Sequence, residues 1–247
     1  MKHDLKKSFV HSSNALVHIW QTTKRQTNTW QCLALLVCVC LTGCNLAADR
    51  ANRAGTISYN SGQFSKAIND FQKALTSNPS NADAYYNLGS SYFQLGKQQQ
   101  NKQWVEQAES LFRQSIALNN QHTDAHRSLA CLLVETDREE FAFDLINSWR
   151  TRNPGSTEPL VELARLHHEY GDNRRATDFL ADALRLDTNN LRALKAMGRV
   201  RETQGQINLA LENYSRALQI DSRQTDVADR INVLQTQLAQ AAGRLTR

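Results

Sequence analysis

Between residues 48 and 224 the apolar positions fall three and four apart, the spacing of one face of a helix, and the pattern restarts at nearly constant intervals. Alignment on one alanine per unit gives Ala67, Ala108, Ala142, Ala176 and Ala210, separated by 41, 34, 34 and 34 residues. Four positions later each unit has a large apolar residue: Phe71, Phe112, Ile146, Leu180 and Tyr214. Seven positions later come Ala74, Ser115, Trp149, Ala183 and Ala217. Twelve positions earlier lie Gly55, Ala130, Ala164 and Gly198, with Gly89 displaced in the longer second unit. A turn residue separates the two halves: Gly62, Gly96, Asp137, Gly171 and Gly205. Each unit therefore predicts two helices joined by a turn, with small residues where the backbones approach and a large apolar residue filling the gap beside them. A single hairpin cannot bury its apolar face alone, so stacking makes the core.

Two units depart from the pattern. The second carries seven extra residues, about 98–104, close to two helical turns, so both its helices are expected to lengthen without losing phase. In the third, Trp149 replaces a small residue, and a splayed contact between the third and fourth units is expected there.

"GQFSKAINDFQKALTSNPSN" (62–81) and "ADAYYNLGSSYFQLGK" (82–97) resemble the two helices of the tetratricopeptide repeat. The resemblance implies an all-α fold, a right-handed α-solenoid of five helical hairpins at 48–81, 82–122, 123–156, 157–190 and 191–224. Residues 225–247 follow as a capping helix and tail, with Val227, Ile231, Leu234 and Leu238 at helical spacing. It further implies a concave face lined by the first helix of each hairpin. Carried over position by position, the partner-groove candidates are Asn52, Tyr59, Tyr86, Asn87, Ser90, Phe93, Arg127, Arg165, His168, Arg192, Lys195 and Arg199. Thr56, Ser128, Cys131 and Glu162 fall on the same face. The family's clamp for a C-terminal carboxylate is not expected in the first three units: Asn87 fits it, but Asn52, Thr56, Asp124 and Ser128 do not.

Composition changes the picture mainly at the N-terminus. Residues 1–43 hold Lys2, Lys6, Lys7, Lys24 and Arg25 against Asp4, which is most of the net charge of +5. The remainder is nearly neutral, so a nucleic-acid footprint is not expected. A basic lead, an apolar run at about 32–41 and small residues before Cys44 make a signal-peptide pattern, too short for the roughly 20 residues of a spanning helix. "LTGC" (41–44) resembles the lipobox of bacterial lipoproteins. That resemblance implies removal of residues 1–43, lipid (palmitate) on Cys44, a short linker over 44–47, and an envelope membrane facing the periplasm, with Asn45 favouring the outer membrane. Cys32, Cys38 and Cys40 would leave with the signal.

No catalytic, cofactor or metal constellation is expected. His167 and His168 are adjacent on a helix and diverge by about 100°; His122 precedes the helix that holds His126; and Cys131 has no activating His or Lys nearby in sequence. Phosphate-loop and hydrolase motifs do not occur. The expectation is a non-enzymatic adaptor that binds an envelope protein or extended peptide, without nucleic acid or small-molecule substrate. Similar lipoproteins support pilus assembly, outer-membrane protein insertion or peptidoglycan enzymes. The alternative is a self-associating structural protein using its convex face or cap helix.

Overall fold

A computed structural model describes residues 46–245, with side chains to residue 241. The signal segment, the lipobox and Cys44 lie outside the described residues. Eleven helices and no strand occur among the described residues. They are α1 (46–60), α2 (Phe64–Ser77), α3 (Ala82–Gln99), α4 (Lys102–Leu118), α5 (Thr123–Glu135), α6 (Glu139–Arg152), α7 (Glu158–Glu169), α8 (Asn173–Leu186), α9 (Leu191–Thr203), α10 (Ile207–Ile220) and α11 (Thr225–Leu245). The chain divides into two compact units within α3, between Ser91 and Tyr92.

In the first unit α1 and α2 form a hairpin. Its turn is Gly62, whose φ of 72° suits a residue without a Cβ. Gly55 lies under the ring of Phe71; a Cβ there would stand 2.5 Å from Cε1, so the glycine is a condition of the close crossing. Ala67, Phe71 and Ala74 are buried on α2, and Asn81 accepts a hydrogen bond from the Ala84 amide to start α3.

The second unit runs from the end of α3 to α11. Here α3 and α4 are 18 and 17 residues long against 12 to 14 for α5 to α10, so the extra residues do extend the helices. The turn is not at Gly96, which sits inside α3. A Cβ there would lie 3.2 Å from the Asn101 carbonyl, so Gly96 gives the loop room, and Gln100 takes the left-handed turn at φ 52°. Asp137 does the same in the next hairpin at φ 56°, since an acid tolerates that region better than most side chains.

The core is continuous from α7 to α11. Leu160, Val161 and Ala164 pack with Ala176, Leu180, Ala183 and Met197. Leu194 packs with Ala210, Tyr214, Ala217, Val227 and Leu234, which docks α11 on α10. Gly198 repeats the role of Gly55, with the Tyr214 ring 2.5 Å from where its Cβ would stand. Leu238, the last residue of the cap's apolar stripe, is left exposed.

The expected splaying at Trp149 does not occur. Trp149 is 1% exposed and stacks on His126, with centroids 4.1 Å apart and planes 12° from parallel. Phe143 on α6 reaches His167 on α7 at 4.9 Å, so the two helices remain packed. In the next two hairpins the equivalent small residues, Ala183 and Ala217, share clusters with Leu160 and Leu194, each 23 residues earlier. The third hairpin exchanges the shapes: His126, a flat ring, stands where the next two hairpins have a branched leucine, and it leaves a slot for the indole. The sequence pattern compares one position at a time and so misses a compensating pair.

Candidate functional site

The groove candidates of the first unit form a polar, half-buried surface. Asn87 on α3 donates from Nδ2 to Asn52 Oδ1 on α1 at 3.2 Å, linking successive groove helices. Tyr59 meets Phe64 edge-on at 5.2 Å, and Tyr86 and Ser90 are half-buried. In the second unit Phe93 is a correction: it is buried, at 8% exposure, and Lys97 Nζ lies 5.3 Å from its ring centre. It offers little face to a partner.

Arg127, Arg165 and Arg192 come from α5, α7 and α9, and all three converge on Glu162. That carboxylate is wholly buried. Arg127 donates to Oε1 from Nε at 2.8 Å and Nη2 at 2.6 Å, and Arg192 donates to the same oxygen at 2.5 Å. Arg165 donates from Nε to Oε2 at 2.9 Å and from Nη1 to both oxygens of Glu169. Arg192 also pairs with Glu158. A lone buried carboxylate would be costly; here charge-assisted donors on both oxygens offset the desolvation. The three groove arginines are thereby neutralised by Glu158, Glu162 and Glu169.

Arg199 stands apart. Two clefts meet at it: one of about 220 Å³ between α7 and α9, and one of about 380 Å³ bounded by α7, α9, α10 and α11. The other cations that line them have counter-ions. Arg165 holds Glu169, Lys195 holds Asp226 at 2.8 Å, and Arg230 holds Glu202. Arg199 is exposed and has no ion-pair or hydrogen-bond partner for its guanidinium among the described residues. His168 lines both clefts and donates from Nδ1 to Asn173 Oδ1 at 2.6 Å, which fixes its ring.

Among the described residues, the other histidines and Cys131 serve the fold. His167 packs between Phe143 and Phe179. His122 caps α5 by accepting from the Ala125 amide, and His126 is buried against Trp149. Burial lowers the His126 pKa to about 4, against the pull of its bond to the His122 carbonyl, so the ring is neutral near pH 7. Burial raises the Cys131 thiol pKa, with Arg165 opposing and Glu169 and Glu162 adding, so it is not a ready nucleophile. No group of three metal-ligating side chains gathers among the described residues, and none of their helices is long and apolar enough to cross a membrane.

Sequence reasoning placed Glu162 on the groove face but not at the centre of a charge network. A signal was present: opposite charges one repeat apart, Arg127 with Glu162 at 35 residues and Glu158 with Arg192 at 34.

Residues 55–96 match the TPR repeat model, and residues 82–122 match the tetratricopeptide repeat model. BBSome complex member BBS4 of Bos taurus is 24% identical over 167 residues, 68% of this chain and 31% of that protein. Its homologue in Drosophila melanogaster is 23% identical over 181 residues, 71% of this chain and 36% of that protein. The chain thus spans about a third of the length of these relatives. Among solved structures, a thermophilic TPR protein of Thermus thermophilus aligns with a TM-score of 0.60 at 20% identity, covering 77% of this chain and 100% of that one. A tetratricopeptide repeat protein of Parabacteroides merdae aligns at 0.57 and 18%, covering 75% and 70%. Such identities establish likeness of fold alone. Residues 55–122 thus match tetratricopeptide repeat models, and the all-α fold of the described residues matches solved solenoids of that kind.

Proposed function

We propose that this protein is a non-catalytic adaptor that binds an extended segment of a partner protein along its groove helices. We further propose that lipid on Cys44 holds it at a bacterial envelope membrane, facing the periplasm and with the outer membrane favoured. The observation that carries the adaptor reading is the pair of clefts at Arg199, set on the repeat face that a tetratricopeptide fold offers to peptides and holding a cation without an internal partner. The anchor reading is supported by "LTGC" after an apolar run, since two acyl signals give durable attachment where one is marginal.

A photo-crosslinking residue at Ser90 or Ser128 on the groove face, compared with one at exposed Asp178, tests the adaptor. Capture of a defined envelope protein from the groove positions alone supports it; capture from Asp178 alone removes it. Incorporation of radiolabelled palmitate into the wild-type chain and not into Cys44→Ala supports the anchor, and a wild-type chain without label removes it. Self-association is the rival reading, because α11 exposes Val233 and Leu238. It expects a concentration-dependent dimer in sedimentation that a Val233→Glu, Leu238→Glu variant abolishes.

A further inference from the structure

We infer that the clefts at Arg199 take one carboxylate of the partner segment, an acidic side chain that neighbours an aliphatic one; this rests on the adaptor reading above. Four cations line the two clefts, and three of them are matched by Glu169, Asp226 and Glu202. The surplus is a single positive charge, and it sits on the one residue common to both spaces besides His168. That balance suits a monoanion. A doubly charged phosphate would meet the carboxylates of Glu169 and Glu202 with only one free cation to offset it. Arginine's planar fork also fits the two oxygens of a carboxylate.

The floor of the smaller cleft fixes the neighbour. Ala164, Leu180, Ala196 and Val200 form an apolar surface below the charged rim, in a space of about 220 Å³ that suits one aliphatic side chain. Arg165, on the same rim, is held by Glu162 and Glu169, which leaves Arg199 as the cation free to meet an entering carboxylate. Arg199 itself is exposed, so its replacement leaves the fold intact.

Selection from short randomised peptides displayed on phage tests the inference, with full-length protein, Arg199→Gln and Arg199→Glu as baits. One arm displays the peptides internally, without a free C-terminus; the other presents a free C-terminal carboxylate. The wild type is expected to enrich Asp or Glu beside Leu, Ile or Val in the internal arm. A synthetic peptide from that consensus is expected to bind Arg199→Gln roughly tenfold or more weakly, the loss typical of one charge-assisted pair. Arg199→Glu is expected to lose the acidic consensus or to replace it with a basic one. Enrichment only in the free-terminus arm overturns the side-chain assignment, and an acidic consensus that persists with Arg199→Glu overturns the site. A consensus without an acid overturns the inference but leaves the adaptor reading. If no peptide is enriched by any bait and Ser128 captures no partner, both fall.

Discussion

The groove around Glu162 and the groove around Arg199 look alike in sequence, each a helix face dotted with arginine and glutamate. In three dimensions they are opposites. At Glu162 three guanidinium groups close on one buried carboxylate, and every cation there is used by the fold. At Arg199 the same kind of residue is left over, exposed at the meeting of two clefts. A groove arginine says little about binding until its internal counter-ion is known. Charge held inward serves the fold; charge left outward stays available to a partner.

The difference is sharpest in stability. Glu162→Gln should cost about 4 kcal/mol in denaturant unfolding, because it leaves three arginines facing a buried site without its charge. A loss no larger than that of an exposed mutant would break the contrast. Trp149→Ala should cost about 3 kcal/mol by emptying the slot beside His126. Acid should act on the same region. The unfolded His126 binds a proton near pH 6.5 and the folded one only near 4, so stability is complete above pH 6.5 and falls as the pH drops through that window. About 3 kcal/mol should go by pH 4, and Trp149→Ala should shrink that slope as water reaches the ring. Arg199→Gln should change stability by less than about 0.5 kcal/mol while changing peptide binding.

Most of the helical order was legible in the sequence because close packing imposes a strict local demand. A small residue at 55 or 198 is required by a ring at 71 or 214, and that demand repeats with the repeat. What was not legible depends on pairs. Trp149 looked too large until its stacking partner was placed, and Gly96 looked like a turn until the lengthened helices moved the turn to Gln100. Phe93 occupied a groove position by count, yet neighbours bury it. The candidate site was legible as a face of residues, whereas its division into matched and unmatched charges required distances between side chains about 30 residues apart.

Glu162 also bears on how the chain comes apart. In a stack where each repeat touches only its neighbours, unravelling can proceed one hairpin at a time from an end. Glu162 Oε1 accepts from Arg127 and Arg192 together, so a single oxygen atom fastens the third hairpin to the fifth across the fourth. Pulled by its C-terminus, the protein should shed α11 first and then resist, α5 to α10 giving way as one block in a single long extension. With Glu162→Gln that block should separate into shorter, weaker steps, so that one atom sets the size of the mechanical unit.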